Sequence, residues 1–290
     1  MIIGIDLGGT KIAGVLTTPS GKVLMDVQIP TEASKGKKQV IENIKKAIRT
    51  LIQSHKVKIK AIGIGAPGPI LYDKGIVIEA PNLSGWKNVQ LRQILKREFK
   101  VPVFVDNDAN CAALAEAWFG AGKFVRHFIY ITVSTGIGGG IVIDKKVYRG
   151  TTGSAGEFGH MIIDSGNAKC GCGNTGCLEA LASGTALKRL AGMDAISAHL
   201  AAHQGDKKAK KAIREIAHYL AIGIANLVNI FNPELVIVGG GLSNMWKDLI
   251  IPVKKEFRKY TLSLSGKSVK VVRAKLRTNA GVLGAAALCL

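Results

Sequence analysis

The chain has 290 residues, 47% of them hydrophobic, and a formal net charge of +20. Its length suffices for two domains with substantial cores, and no run reaches the roughly 20 apolar residues of a membrane span. No cleavable leader precedes the first apolar residues, so we expect a cytoplasmic protein without a membrane segment. Because lysines are spread over predicted loops and helix faces without interleaved aromatic residues, the charge does not predict a nucleic-acid groove.

The first half of the chain alternates predicted strands and helices. Apolar residues around glycines predict three consecutive strands, and the helix after them has its apolar residues at the spacing of one helical face. In chain order, the predictions are strands at 2–5, 12–16 and 22–29, a helix at 39–55, a strand at 61–66, a helix at 91–99 and a strand at 101–105.

The pattern restarts near residue 127, which indicates an internal duplication. The predictions are strands at 127–133 and 140–143, a helix at 207–231, a strand at 235–238, a helix at 245–259, a strand at 269–272 and an Ala-rich helix from 279. The predicted class is α/β with a mixed sheet in each half. We predict a smaller domain at 1–115, onto which the helix 279–290 packs back, and a larger domain at 116–278, with a small substrate in the cleft between them.

Three glycine-rich turns are candidate phosphate loops. The segment Asp6–Lys11 is a tight turn between two predicted strands, where glycines allow phosphate oxygens close to backbone amides. Taken alone, it is equally consistent with ordinary hairpin chemistry, and it has neither the Walker nor the dinucleotide spacing. A second turn contains Thr135 and Gly136 with Gly138 to Gly140, and a third cluster at 239–241 follows a predicted strand. Together they favour a nucleotide held by both halves.

Three cysteines and one histidine have the spacing of a metal site. Cys170, Cys172 and Cys177 form a Cys-x-Cys-x4-Cys pattern, and His160 lies ten residues upstream. Thiolates and imidazole suit tetrahedral zinc, and four protein ligands leave no open position, which favours a structural site. Disulfides are the alternative, and they are less expected in a cytoplasmic chain.

A run of polar residues, Asp106–Asn110, lies where a predicted strand ends and an Ala-rich helix begins. Helix capping explains part of this run, because Asp and Asn side chains accept hydrogen bonds from the first amides of a helix. Four polar residues exceed what a cap needs. The alternative is a carboxylate that accepts the proton of a substrate hydroxyl in phosphoryl transfer.

Taken together, these motifs resemble the ROK family, which comprises repressors, open reading frames and sugar kinases. The resemblance rests on the segments 6–11, 107–110, 156–160 and 170–179, of which the last is the most specific, and it spans essentially the whole chain. It implies the actin-like ATPase (ribonuclease H-like) fold, two domains of duplicated sheet topology with ATP and a sugar in the cleft. It also implies a homodimer or homotetramer, the usual assemblies of that family.

The resemblance also implies a role for each matching residue. Asp108 would be the catalytic base, and Asn107 would contact the sugar hydroxyls beside it. Further sugar contacts would come from Asn82, Glu157, His160 and Glu179, with His160 also a zinc ligand. Asp6 would organise Mg²⁺, and the nucleotide would be lined by Gly9, Thr10, Lys11, Thr135, Gly136 and Gly240.

Two other classes of function would show different sequence features. A sugar-responsive repressor would carry a helix-turn-helix ahead of Asp6; we expect none in this chain, and the intact Asp108 favours catalysis. A zinc-ribbon nucleic-acid module would need a second cysteine pair and an adjacent basic helix. Among sugars, the segment Asn82–Trp86 resembles glucokinase members of the family, which predicts D-glucose phosphorylated at its 6-hydroxyl. Mannose, fructose, N-acetylmannosamine and N-acetylglucosamine stay open, because pocket differences of one group are small in energy.

Overall fold

The computed structural model describes residues 1–54, 58–80 and 82–290. The chain divides into two compact units: the first comprises Met1–Phe124, Lys145–Ala155 and Lys275–Leu290, and the second comprises Val125–Asp144 and Gly156–Ala274. The domain limits predicted from the sequence, 1–115 and 116–278, stay a prediction. Within the described residues, no helix combines the length and the apolar character that crossing a membrane requires.

Up to residue 124, every predicted strand and helix is present in the predicted order, with three further strands between them. They are β1 (Ile2–Leu7), β2 (Lys11–Thr17), β3 (Val23–Pro30), α1 (Lys37–Ser54), β4 (Ala61–Ala66), β5 (Ile70–Leu71), β6 (Ile76–Glu79), β7 (Lys87–Val89), α2 (Leu91–Phe99), β8 (Val103–Asn107) and α3 (Asp108–Phe119). The predicted end of the first helix, His55, lies outside the described residues. The sequence did not predict β5, β6 and β7, which form a small separate sheet.

The remaining elements contain several short helices that the sequence did not predict. They are β9 (Phe128–Val133), β10 (Ile137–Ile143), β11 (Lys146–Tyr148), α4 (Leu178–Ala182), α5 (Gly184–Ala191), α6 (Ala195–His203), α7 (Lys207–Phe231), β12 (Leu235–Gly239), α8 (Ile251–Glu256), α9 (Ser263–Ser268), β13 (Lys270–Arg273) and α10 (Ala280–Ala287). The long helix α7 has the predicted bounds.

The two units repeat one strand arrangement. In the first unit the sheet order is β3-β2-β1-β4-β8, with β1 antiparallel to β2 and parallel to β4, and β4 parallel to β8. Within the second unit, β10, β9, β12 and β13 lie side by side with the same directions. The central strands β4 and β12 are buried along their whole length, as expected for parallel strands covered on both faces. This repetition confirms the predicted duplication.

Two predicted elements differ from the structure. The second glycine-rich loop is shorter than predicted, because Gly138–Gly140 lie inside β10 and pair with β9. The predicted helix at 245–259 is divided into a π-helical turn at Trp246–Ile250, the helix α8 and a 3-10 turn at Phe257–Tyr260. Pro252, at the start of α8, lacks the amide hydrogen that would continue a regular helix through this point.

The C-terminal helix α10 packs against α3, β1 and β4 of the first unit. Glycines make this contact possible at three points. A Cβ at Gly4 would overlap the carbonyl oxygen of Val282 in α10, and a Cβ at Gly63 would overlap that of Ala285. A Cβ at Gly284 would overlap the carbonyl oxygen of Cys111 in α3. The helix therefore lies closer to the sheet than side chains would allow.

Candidate active site

The polar residues at the start of α3 differ in their hydrogen bonds and in their exposure. Asn107 is the helix cap: its Oδ1 accepts hydrogen bonds from the amides of Ala109 at 2.9 Å and Asn110 at 3.3 Å. Its Nδ2 donates to the carbonyl oxygen of Gly68 at 3.2 Å. Asp108, the first residue of α3, is exposed, and its Oδ1 accepts from the amide of Ala109 at 2.8 Å. The cap that the sequence left unassigned is therefore Asn107, while Asp108 presents a carboxylate to solvent.

Asp106, the residue before the cap, anchors the end of β8. It is only 1% exposed and accepts hydrogen bonds from Arg149 Nε at 2.8 Å and Asn110 Nδ2 at 3.2 Å. Burial raises the pKa of Asp106, and the positive charge of Arg149 opposes that shift. The Arg149 guanidinium also lies 3.8 Å from the ring centroid of Tyr72. The sequence did not predict this pair. The only indication in the sequence was the position of Asp106 at the end of a predicted buried strand.

The turn between β1 and β2 brings two predicted site residues together. The amide of Gly8 donates to the carbonyl oxygen of Lys11 at 3.0 Å, and the Thr31 hydroxyl donates to the carbonyl oxygen of Gly8 at 2.7 Å. A Cβ at Gly9 would lie 3.2 Å from the Cβ of Asn82, so the two residues are adjacent. Thr10 and Lys11 are exposed at the tip of the turn, next to these residues.

Asp6, near the end of β1, has the surroundings that a bound cation would suit. Its carboxylate lies against Gly281, where a Cβ would overlap it. Burial raises its pKa, and the charge of Lys11 opposes this effect. In the described part of the chain, no group donates a hydrogen bond to this carboxylate, so a hydrated Mg²⁺ would supply an interaction that the protein itself does not.

The turn between β9 and β10 is held by Glu179 and by the start of α5. Glu179 Oε2 accepts a hydrogen bond from the amide of Ile137 at 2.8 Å, and its carboxylate lies where a Cβ of Gly136 would be. The Thr185 hydroxyl donates to the carbonyl oxygen of Thr135 at 2.8 Å. A residue predicted to contact sugar thus also fixes the turn predicted to contact the nucleotide.

The three cysteines and His160 form a cluster with the dimensions of a zinc site. Their ligand atoms all lie within 4.8 Å of one another. The Sγ atoms of Cys172 and Cys177 are 3.8 Å apart, and Cys170 Sγ is 3.6 Å from His160 Nδ1. In a zinc tetrahedron, Zn–S bonds of about 2.3 Å and Zn–N bonds of about 2.0–2.1 Å give edges of about 3.8 Å between sulfurs and about 3.6 Å between sulfur and nitrogen. The cysteines are free thiols, and the donor set fits zinc.

This cluster also positions residues predicted to contact sugar. The His160 ring directs Nδ1 to Cys170, and its Nε2 lies 3.9 Å from Glu157 Oε2. Glu179 Oε1 lies 3.9 Å from Cys170 Sγ. A metal held here would therefore fix the orientation of the His160 ring and the position of Cys170. Because Glu157 lies beside the ring and Glu179 lies beside Cys170, the metal would also limit the positions of these two carboxylates.

A largely apolar cavity of about 480 Å³ adjoins the turn at Thr135. Gly241, next to the predicted nucleotide contact Gly240, lines it, and Gly240 has a φ of 81° and leaves no space for a Cβ beside Val133. Ile196 and Leu200 of α6 form another wall. Its volume is that of a typical small-ligand site. The sequence did not predict α6 as part of it.

The duplicated strand order and the glycine turns define an actin-like ATPase, or ribonuclease H-like, fold, and similar solved structures are ROK sugar kinases. The chain belongs to the ROK family, which it matches over residues 2–290. This confirms the fold class and the family predicted from the motifs.

Two glucokinases and a putative repressor are among the proteins similar to this chain. A glucokinase from Halalkalibacterium halodurans is 38% identical, and the similarity covers 97% of this chain and 92% of that protein. A putative xylose repressor from a Caldicellulosiruptor species is 38% identical, over 100% of this chain and 78% of the repressor. The crystal structure of a ROK family glucokinase from Streptomyces griseus in complex with glucose and AMPPNP is 35% identical, with a TM-score of 0.85, over 99% of this chain and 98% of that chain.

Proposed function

We propose that the protein is an ATP-dependent hexose kinase that converts D-glucose to glucose 6-phosphate. The observation that carries this proposal is the exposed carboxylate of Asp108 at the start of α3, directly after the Asn107 cap. Similarity over nearly the whole chain to a glucokinase, and to a glucokinase structure holding glucose and AMPPNP, supports the sugar and the nucleotide.

In this proposal, Asp108 is the general base. It accepts the proton of the 6-hydroxyl as that oxygen attacks the terminal phosphorus of ATP, and the bond from phosphorus to the bridging oxygen of ADP breaks. The Asp106–Arg149 pair and the Asn107 cap hold the end of β8, and with it the backbone of Asp108, in one position. Such positioning supplies much of the rate in phosphoryl transfer.

The nucleotide is proposed to be bound by the glycine turns. The phosphates contact Gly9, Thr10 and Lys11. The rest of the nucleotide is lined by Thr135, Gly136 and Gly240, and its adenine ring occupies the apolar cavity beside Thr135. Mg²⁺, when bound with ATP near Asp6, offsets the charge that develops on the phosphate oxygens.

The sugar hydroxyls are proposed to contact Asn82, Asn107, Asp108, Glu157, His160 and Glu179. The side-chain oxygen of Asn107 is used by the helix cap, and one hydrogen of its Nδ2 is donated to the carbonyl oxygen of Gly68. The other Nδ2 hydrogen is therefore the one that Asn107 donates to a sugar hydroxyl. Structural zinc is proposed to bind His160, Cys170, Cys172 and Cys177, and it would fix the orientation of the His160 ring. A cytoplasmic location and a homodimeric or homotetrameric assembly complete the proposal.

A second candidate function is sugar-responsive regulation. It is supported by the 38% identity to a putative xylose repressor over the whole of this chain. The two functions differ in turnover, because a regulator needs to bind a sugar without phosphorylating it.

A coupled assay with MgATP over glucose, mannose, fructose, N-acetylglucosamine, N-acetylmannosamine and xylose separates these functions. We expect the highest kcat/KM for glucose, and metal analysis of the same preparation is expected to give zinc at the cysteine cluster. Absence of phosphorylation of every hexose would contradict the kinase. Binding of xylose without turnover, together with that absence, would favour the regulator.

A further inference from the structure

A second group of potential metal ligands lies in the second unit, separate from the cysteine cluster. His199 and His203 are four residues apart in α6, so their side chains share one face of the helix. Asp248 comes from the π-helical turn at Trp246–Ile250. The Nε2 atoms of both histidines and Oδ2 of Asp248 are mutually close, and none of these residues is among those proposed to contact the sugar, the phosphates or Mg²⁺.

The three donor atoms form a compact triangle. His199 Nε2 lies 2.8 Å from Asp248 Oδ2, His203 Nε2 lies 3.2 Å from the same oxygen, and the two nitrogens are 3.2 Å apart. With metal–ligand bonds of about 2.0–2.1 Å, neighbouring ligands are about 2.9 Å apart in an octahedron and about 3.3 Å apart in a tetrahedron. The observed edges therefore have the size of one face of a metal coordination polyhedron.

Hydrogen bonding alone accounts less well for this triangle. Both histidines direct the same ring atom, Nε2, toward the shared centre, and each neutral ring has at most one hydrogen there. Two neutral rings can therefore form hydrogen bonds along at most two of the three sides of the triangle. If both rings were protonated, two positive charges would lie next to each other. A cation at the centre would instead interact with a lone pair from each of the three groups.

The donor types and their exposure indicate which ligand would bind. Two imidazoles and one carboxylate on one side of the metal are a known ligand set of transition-metal sites. In such sites, water occupies the remaining coordination positions. The side chains of His199, His203 and Asp248 are 29%, 61% and 39% exposed, so solvent reaches the site. Lys210 and Arg214 line the same surface depression, and their charges will make binding weaker than at the cysteine cluster.

We propose that His199, His203 and Asp248 bind one divalent transition-metal cation, in addition to the zinc proposed at the cysteine cluster. The cation connects α6 to the turn at Trp246–Ile250. His199 also lines the apolar cavity beside Thr135, so the metal braces one wall of that cavity.

The test is a titration of Co²⁺ into the zinc-loaded protein, followed by calorimetry and visible absorption. We expect one equivalent of Co²⁺ to bind with ligand-field bands and without thiolate charge-transfer absorption. His203→Gln and Asp248→Asn are expected to weaken binding by at least about tenfold. His218→Gln is the matched control, because His218 pairs with Glu256 at 2.7 Å outside the cluster, and it is expected to bind Co²⁺ like the wild type.

Three results would overturn the proposal: no saturable binding of Co²⁺, equal binding by the wild type and both cluster variants, or a cobalt spectrum that shows only thiolate coordination. None of these readouts depends on kinase activity, so the metal site and the proposed function fail independently.

Discussion

Asp106, Asn107 and Asp108 are consecutive polar residues with different surroundings. Asp106 is buried against Arg149, Asn107 caps α3, and Asp108 is exposed. The sequence indicated that one residue caps the helix and that one carboxylate serves chemistry. It did not predict the Asp106–Arg149 contact, because Arg149 lies in a distant segment and only the folded chain brings the two together.

At this scale we predict that Arg149→Met destabilises the protein by roughly 3–5 kcal/mol, because it leaves the buried Asp106 carboxylate without its counterion. Asp106→Asn in the Arg149→Met background is expected to recover part of the loss. Urea unfolding of both single variants and the double variant measures this coupling. Strictly additive losses would show that the two side chains do not interact.

The three cysteines and His160 show where sequence reasoning works. Their spacing is local, so His160, Cys170, Cys172 and Cys177 were recognisable as candidate metal ligands, and the structure brings their candidate ligand atoms within 4.8 Å of one another. In contrast, the link between Glu179 and the amide of Ile137 joins residues 42 positions apart and carries no local signal.

At the scale of elements, glycine determines how closely α10 lies to the sheet. Gly63→Ala in β4 would overlap the carbonyl oxygen of Ala285, and backbone cannot move as easily as a flexible side chain. We predict a loss of roughly 1–3 kcal/mol, the usual cost of overpacking. Gly171→Ala is the control, because a Cβ there meets open space, and thermal unfolding compares the two. Equal melting temperatures for both variants would contradict the packing described here.

Helices α7 and α8 are joined by a hydrogen bond between His218 and Glu256. The hydrogen bond from His218 is the largest cause that lowers the pKa of Glu256 below its ordinary value of 4.5. A lowered folded-state pKa means that Glu256 contributes stability above 4.5, and that this contribution disappears as the pH falls through the lowered value. Glu256→Gln is expected to cost about 1 kcal/mol near neutral pH.

The measurement is urea unfolding of the wild type and Glu256→Gln from neutral pH to well below 4.5. The difference between the two proteins should shrink toward zero as the solution becomes acidic. A difference that is constant or that grows in acid would show that the lowered pKa of Glu256 is not its source.

The strands and long helices were predictable because their apolar patterns are strong. The long helix α7 buries one face along its length, and β1, β4 and β12 are apolar runs bounded by glycine or polar residues. Helix α6 buries only Ala198 and Ala202, so its periodicity is too weak to recognise. For that reason the sequence missed both the α6 wall of the apolar cavity and the group formed by His199, His203 and Asp248.

At the scale of the whole molecule, the duplicated strand order explains why similar turns recur in both units. Each unit has a hairpin turn after its first strand, at Gly8–Thr10 and at Ser134–Gly136, and these are the turns proposed to bind ATP. The net charge of +20 is compatible with an anionic nucleotide. The duplication and the charge could be predicted from the sequence. The identity of the sugar substrate could not, because one fold accommodates different substrates.

The role proposed for Asp108, the base in the phosphorylation of glucose, is tested with the variant Asp108→Asn. Glucose 6-phosphate formation is measured with saturating MgATP, glucose binding is measured separately by calorimetry, and Asp26→Asn, an exposed carboxylate of β3, serves as the control. We predict that Asp108→Asn lowers kcat by about 10²–10⁴-fold while glucose affinity stays nearly unchanged and the control matches the wild type. Turnover of Asp108→Asn at the wild-type rate would show that Asp108 is not the base.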